Sequence, residues 1–303
     1  MTRAPERPRR VQLAVPGSND RMMAKAASSR ADHVFLDLED AVAPNAKAQA
    51  RGQVVHALRG LDWAGKVRCV RVNDLSSPWF LDDVSTLVEQ ASDVLDTIML
   101  PKVNRPEDVL FVDRLLALLE RRSGASRRIG LEILIEEVPG LMNVEAICAA
   151  SDRLEAAILG VGDYSASQRI DRRAINGHPE YVGDIWHYAR FKLLVACRAH
   201  GLQAIDGPFV NLKDVDGYRR QAREAALMGF DGKWALHPDQ IEPALEVFTP
   251  STEEVRFARD VSSAFKARES EGIGAFSHDG LMVDVALVRL LNNALVKADL
   301  FGL

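Results

Sequence analysis

Eight short apolar, β-branched runs, each followed by a longer stretch of helical period, set the tightest limit on how this chain folds. The runs are 11–15 (VQLAV), 33–38 (HVFLDL), 67–72 (VRCVRV), 97–101 (TIMLP), 129–135 (IGLEILI), 155–161 (EAAILGV), 202–206 (LQAID) and 232–236 (GKWAL). Helical stretches with apolar residues at three- and four-residue spacing lie near 20–29, 46–59, 79–91, 106–122, 140–150, 181–200, 213–228 and 239–247. Eight strand–helix units in about 240 residues predict a closed TIM-type (β/α)8 barrel. A doubly wound open sheet usually has fewer strands and needs a glycine fingerprint after the first, whereas the first run here ends in PGSND. No repeat of 20–50 residues is visible, which excludes a solenoid.

The pattern changes after residue 247: FTPS supplies a proline and a cap, 252–269 is charged and helical, 270–280 is Gly-rich, and 281–299 is apolar with helical period. The expected organisation is a catalytic barrel over 1–250 and a C-terminal helical extension over 251–303. The extension must bury its apolar stripe on the barrel or on another copy of the chain, and the second option predicts an oligomer.

Lys and Arg number 38 against 43 Asp and Glu, so bulk charge does not draw this chain to nucleic acid, although a local basic pocket for a phosphorylated ligand is compatible with it. Cys69, Cys148 and Cys197 are far apart, lack metal-like spacing and sit in apolar runs, as expected of buried thiols in a reducing cytoplasm. The basic start, MTRAPERPRR, leads into an apolar stretch too short for a signal sequence, and the first ten residues read as a mobile arm. No window reaches the roughly 18 apolar residues of a membrane span.

Reactive side chains of such barrels stand at the C-terminal ends of the strands. The polar residues there are Asp37, Glu39 and Asp40; Arg71 and Asn73; Lys102; Glu136 and Glu137; Asp163; Asp206; and His237. Glu136 and Asp163 close adjacent apolar runs, where two carboxylates repel unless a cation lies between them. An oxygen-only pair suits Mg²⁺, while solvated acids paired with Arg71 and Lys102 are the plain alternative. Alternation puts Asp37 and Glu39 on one side of their strand, as ion-pair partners or anchors for metal-bound water. Arg71 presents a planar fork to a carboxylate or enolate oxygen, or to the acids at 37–40. Lys102 stands where a Schiff-base lysine would, although a lysine among acids is more often structural. His237 precedes Pro238 and reads as a turn and cap rather than a general base. Arg21 and Lys25, at i and i+4 in the opening of a helix, suit phosphates or are solvated charges.

PGSND with Lys25, FLDLEDAVAPNAK, VRVN, IMLPKV, EILIE, GVGDYSAS, AIDGPF and GKWALHPDQI together resemble the citrate lyase β-subunit and malyl-CoA lyase branch of the HpcH/HpaI aldolase superfamily, in order and over nearly the whole chain. FTPS and LMVDVA resemble malyl-CoA and β-methylmalyl-CoA lyases and their thioesterase relatives. The resemblance implies that Glu136 and Asp163 hold Mg²⁺, with Mn²⁺ as the other candidate, and that Arg71 binds a substrate oxygen. It further implies a supporting network of Asp37, Glu39, Asp40 and Lys47, and coenzyme A phosphates near Arg21 and Lys25. Asp284 matches an aspartate that such lyases carry into a neighbouring subunit's site as general acid/base, in trimers or hexamers.

The implied activity is metal-dependent Claisen-type cleavage or formation of a 3-hydroxyacyl-CoA such as malyl-CoA, β-methylmalyl-CoA or citramalyl-CoA, giving an acyl-CoA and an oxo acid such as glyoxylate or pyruvate. Rival readings are a malyl-CoA thioesterase, a citrate lyase β-type subunit needing partner chains, a class I aldolase acting through Lys102, and a barrel retained only for binding. Residues 168–187 lack the Gly-Gly insertion associated with malyl-CoA lyases and carry three arginines instead, which leaves the acyl group open.

Overall fold

The computed structural model describes residues 6–174 and 183–303. Eight parallel strands close into a barrel in sequence order: β1 (Val11–Pro16), β2 (His33–Asp37), β3 (Val67–Arg71), β4 (Thr97–Leu100), β5 (Gly130–Ile135), β6 (Leu154–Leu159), β7 (Gln203–Asp206) and β8 (Gly232–Ala235). Pairing of β8 with β1 completes the ring. The helices around it are α1 (Asp20–Ala27), α2 (Lys47–Gly60), α3 (Phe80–Ala91), α4 (Pro106–Ser123), α5 (Val138–Met142), α6 (Val144–Cys148), α7 (Val161–Gln168), α8 (His187–His200), α9 (Val215–Met228) and α10 (Ile241–Phe248). The expected fold class is therefore the observed one.

Strand alternation builds the barrel interior in layers, because residues two apart share a face. On β2 the series is His33, Phe35, Asp37, and on β5 it continues into the following residue as Glu132, Leu134, Glu136. The middle layer is apolar and buried: Phe35, Cys69, Met99, Leu134, Ala156, Ile158, Ile205 and Trp234. Above it, Asp37, Arg71 and Glu136 reach the mouth; below it lies a polar floor.

Over residues 6–10 that floor corrects the expectation of a mobile arm, residues 1–5 of which lie outside the described chain. Arg9 is 1 % exposed and donates to Glu132 at 3.1 and 3.2 Å and to Glu155 at 2.5 Å, while Arg7 donates to Glu155 at 2.8 Å. The segment passes so close to β8 that a Cβ at Gly232 would fall 1.7 Å from the Arg9 carbonyl oxygen. The run reads as a basic tail because Glu132 and Glu155, which bind Arg9, lie more than a hundred residues away in sequence. His33, Gln12 and Thr97 also bond Glu132. His33, Cys69 and Glu132 are close enough together to suggest a metal. Arg9 already neutralises that carboxylate, so the trio is part of a buried ion-pair network.

Three further expectations change. The helix near 140–150 is two short helices, α5 and α6, and β6 ends at Leu159, so that Asp163 lies in the first turn of α7. The helix expected over 181–200 is described from His187, residues 181–182 lying outside the described chain.

Contacts divide the chain into two compact units, Met1–Leu245 and Glu246–Leu303. The second contains α11 (Thr252–Ser270), an antiparallel hairpin of β9 (Phe276–His278) and β10 (Leu281–Val283), and α12 (Val285–Phe301). The start of the stretch expected as helix over 281–299 is thus a strand. Ser251 and Glu254 form a reciprocal cap at the head of α11. Val261, Phe265 and Val283 make the unit's core with Phe257, Phe276, Leu287, Val288 and Leu291, while Val285, Leu290 and Val296 on α12 remain exposed.

Candidate active site

The mouth of the barrel gathers the residues that the strand ends deliver. Asp37 ends β2 and Arg71 ends β3, and the two lie opposite in register. Arg71 Nε and Nη2 donate to the two oxygens of Asp37 at 2.8 and 2.7 Å, a bidentate pair buried on both sides. Its Nη1 lies 3.0 Å from Glu39 and 3.8 Å from Asp40. The guanidinium rests above Trp234 and Phe35, 5.7 and 6.0 Å from the ring centroids. Two of its five N–H donors are hydrogen-bonded to Asp37 and a third lies against Glu39 as an ion pair, which leaves two for a substrate oxygen. Asp37 is held below the usual carboxylate range by Arg71 and by the backbone N–H groups of Glu39 and Ala41, against the opposing effect of burial.

Lys47, buried, donates to the carbonyls of Leu38 and Glu39 at 2.9 Å each and to Asn73 at 2.5 Å. It fixes the LDLED turn from below. Lys102 donates from Nζ to Glu39 at 2.6 Å, and the acids around it hold its ammonium well above the ordinary lysine range. An ammonium held in an ion pair with Glu39 is a poor nucleophile, which counts against the class I aldolase reading.

Glu136 is 2 % exposed, and one of its oxygens accepts the Lys102 backbone N–H at 2.8 Å. Burial pushes its carboxyl up to about 8, helped by Asp163 and Glu39 and opposed by Arg71 and the Lys102 N–H. Gly160 makes room for it: a Cβ there would lie 2.5 Å from the Glu136 Cβ and 2.7 Å from Oε2. This requirement for glycine, and the backbone role of Lys102, were not read from the sequence; the G of GVGD just before a strand-end acid was the available signal for the first. Asp163, in the first turn of α7, is exposed. Trp186 donates to Ser165 at 2.9 Å and Ser165 to the Val161 carbonyl at 2.6 Å, which secures that helix.

Charge at the mouth is unbalanced. Among the described residues, Asp37, Glu39, Asp40, Glu136 and Asp163 outnumber the cations Arg71, Lys47 and Lys102 around them, by two carboxylates when all five are ionised. A buried glutamate whose carboxyl is pushed upward, beside an exposed aspartate, both hard oxygen donors, fits one divalent cation of the Mg²⁺ type with water and substrate oxygens completing its shell.

The remaining candidates fall in different places. Arg21 and Lys25 are exposed on α1 directly beyond β1, while Met23 and Ala26 face the core. Glu137 accepts from the Asn104 side chain and stands at the head of α5 without a side-chain cap bond to it. His237 accepts the Asp239 N–H at 3.2 Å and caps the turn Pro238–Gln240. Asp206 is fully buried against Arg190 and Lys233, a structural role below the loop after β7. Asp284 belongs to the second compact unit, where its carboxylate accepts the Leu287 N–H at 2.9 Å and caps α12.

A parallel barrel with neighbouring carboxylates and a buttressed arginine at its C-terminal mouth fits a class of protein: barrel enzymes that take a divalent cation and an anionic substrate. Comparison with known proteins narrows it. The family model for HpcH/HpaI aldolase/citrate lyase matches residues 10–238, and the chain belongs to that family. It is 43 % identical over 308 residues to an L-malyl-CoA/β-methylmalyl-CoA lyase of Cereibacter sphaeroides, covering 98 % of this chain and 97 % of the relative. It is 35 % identical to a mitochondrial citramalyl-CoA lyase of Rattus norvegicus, covering 96 % and 86 % respectively. A crystal structure of CitE from Mycobacterium tuberculosis, in complex with magnesium, acetoacetate and coenzyme A, superposes with a TM-score of 0.75 at 29 % identity, covering 97 % of this chain and 98 % of that one.

Proposed function

We propose that this protein is a divalent-cation-dependent carbon–carbon lyase that cleaves or forms a 3-hydroxyacyl-CoA of the malyl-CoA, β-methylmalyl-CoA or citramalyl-CoA type. The observation that carries the reading is Glu136, buried at the mouth beside Asp163 and next to an Arg71 that keeps two donors in hand. Near-full-length likeness to malyl-CoA lyases supports the substrate class.

Glu136 and Asp163 would hold the cation, Mg²⁺ or Mn²⁺; when bound, it lowers the pKa of the substrate hydroxyl and stabilises the oxo product. Arg71, fixed by Asp37 and Glu39, binds a carboxylate or thioester oxygen. In cleavage, the hydroxyl proton passes to solvent water, from which Asp284 is reprotonated for the next turnover; the bond between the hydroxyl-bearing carbon and the thioester α-carbon breaks, and its electrons pass to the thioester as an enolate. Asp284, delivered from a neighbouring copy, protonates the enolate carbon; in condensation it abstracts that proton. Arg21 and Lys25 meet the coenzyme A phosphates, while Asp40 and Lys47 complete the support around Glu39. The exposed apolar residues of α12 support a homo-oligomer, for which the resemblance implies a trimer or hexamer, and the three buried free cysteines fit a cytoplasmic enzyme. Among the described residues no helix is long and apolar enough to cross a membrane.

The test is incubation with malyl-CoA in Mg²⁺ and then in EDTA, with products resolved by chromatography. Metal-dependent acetyl-CoA plus glyoxylate supports the lyase. Free CoA plus malate replaces it with the thioesterase on the same scaffold. Absence of both moves the assay to citramalyl-CoA and β-methylmalyl-CoA, and failure of all three rejects a lyase of this class acting alone.

A further inference from the structure

Lys102 stands just beyond β4 with φ at 52°, in the left-handed region that side chains with a Cβ disfavour by roughly 5- to 30-fold. The other non-glycine residues with positive φ among those described, Arg169 and Asp279, end a helix and turn a hairpin. Lys102 does neither; it lies at the mouth. A glycine would adopt this backbone freely, so the lysine side chain offsets the conformational cost by what it binds.

Two contacts depend on this residue. The left-handed turn aims its backbone N–H at Glu136 Oε1, 2.8 Å away. Its ammonium reaches Glu39 Oε1 at 2.6 Å, and the other Glu39 oxygen takes Arg71 Nη1 at 3.0 Å. Without that ammonium, Glu39 would keep only the contacts of its other oxygen, with Arg71 Nη1 and with the Asp40 backbone N–H at 3.0 Å, and its plane would be less well fixed against the Arg71 guanidinium.

We infer that Lys102 is a positioning residue serving both halves of the site: its left-handed backbone orients the Glu136 carboxylate, and its ammonium, through Glu39, orients the Arg71 guanidinium. This rests on the reading of Glu136 as a cation ligand and Arg71 as the group that binds a substrate oxygen. The backbone role and the side-chain role separate by substitution, because glycine retains the first and loses the second.

Three variants test it: Lys102→Gly, Lys102→Met and Lys102→Arg, each checked by circular dichroism for a retained fold. Cation affinity is read by calorimetry with MgCl₂ and no substrate, and oxo-acid affinity as KM for glyoxylate, or for pyruvate where that is the acid turned over. Lys102→Gly should keep the Mg²⁺ Kd within about twofold, whereas Lys102→Met, bearing the left-handed cost without the ion pair, should weaken it about 5- to 30-fold. Both should raise the oxo-acid KM by about tenfold or more, and Lys102→Arg should restore it to within about threefold. Equal loss of Mg²⁺ affinity in the Gly and Met variants overturns the backbone role. An unchanged KM in both overturns the side-chain role. Absence of Mg²⁺ binding by the wild-type protein instead rejects the cation site itself, and the inference with it.

Discussion

The buried Glu136 makes cation binding a competition with a proton, and its size follows from the site. In the metal-free protein the carboxyl titrates near 8, against an ordinary 4.5. A cation needs the carboxylate, so the apparent Kd rises by the factor 1 + 10^(pKa − pH). From pH 9 to pH 7 this is about tenfold, and from pH 9 to pH 6 about ninetyfold, or ~2.7 kcal/mol. The sign is fixed by the direction of the shift: binding weakens as pH falls. Folding stability of the metal-free protein runs the other way. Between the unfolded value near 4.5 and the folded value near 8 the native state holds a proton that the unfolded chain has released, so stability falls as pH rises through that window. Calorimetric titration with MgCl₂ at pH 6, 7, 8 and 9 and constant ionic strength measures the first effect. Thermal unfolding of wild type minus Glu136→Gln, both metal-free, measures the second. A wild-type Mg²⁺ affinity flat from pH 6 to 8, or the same slope in Glu136→Gln, would refute the reasoning.

Gly160→Ala should push the Glu136 carboxylate aside and weaken Mg²⁺ binding about tenfold or more with an overpacking cost of ~1–3 kcal/mol, checked by calorimetry and urea unfolding. Asp284→Ala should lower turnover by ~10²–10⁴ while leaving the Mg²⁺ Kd unchanged; undiminished turnover removes Asp284 from the proton transfer. Arg9→Ala should strand Glu132 and Glu155 in the barrel floor and cost ~3–5 kcal/mol of stability, read as a lower urea midpoint; a change below ~1 kcal/mol would mean the floor is solvated.

The barrel was legible because parallel strands buried on both faces leave continuous apolar runs, and eight of them admit few other architectures. Position at a strand end was enough to pick out Asp37, Arg71 and Glu136, since alternation carries these side chains from the apolar middle layer to the mouth. Contacts without a local signature stayed hidden. Arg9 finds Glu132 across 123 residues, so its segment reads as a tail. The hairpin at β9–β10 is three residues per strand, too short for alternation to announce itself. Lys102 shows its type but not its φ, and Gly160 looks like any glycine in a turn until Glu136 lies against it.

The central claim is that one divalent cation sits on Glu136 and Asp163 at the barrel mouth. Anomalous diffraction from a crystal of the protein soaked in Mn²⁺ tests it directly. The account predicts a single strong peak about 2.0–2.2 Å from an oxygen of each carboxylate, lost in Glu136→Gln. A peak elsewhere, such as the His33–Cys69–Glu132 floor, or none at the mouth under conditions where turnover depends on metal, would contradict it.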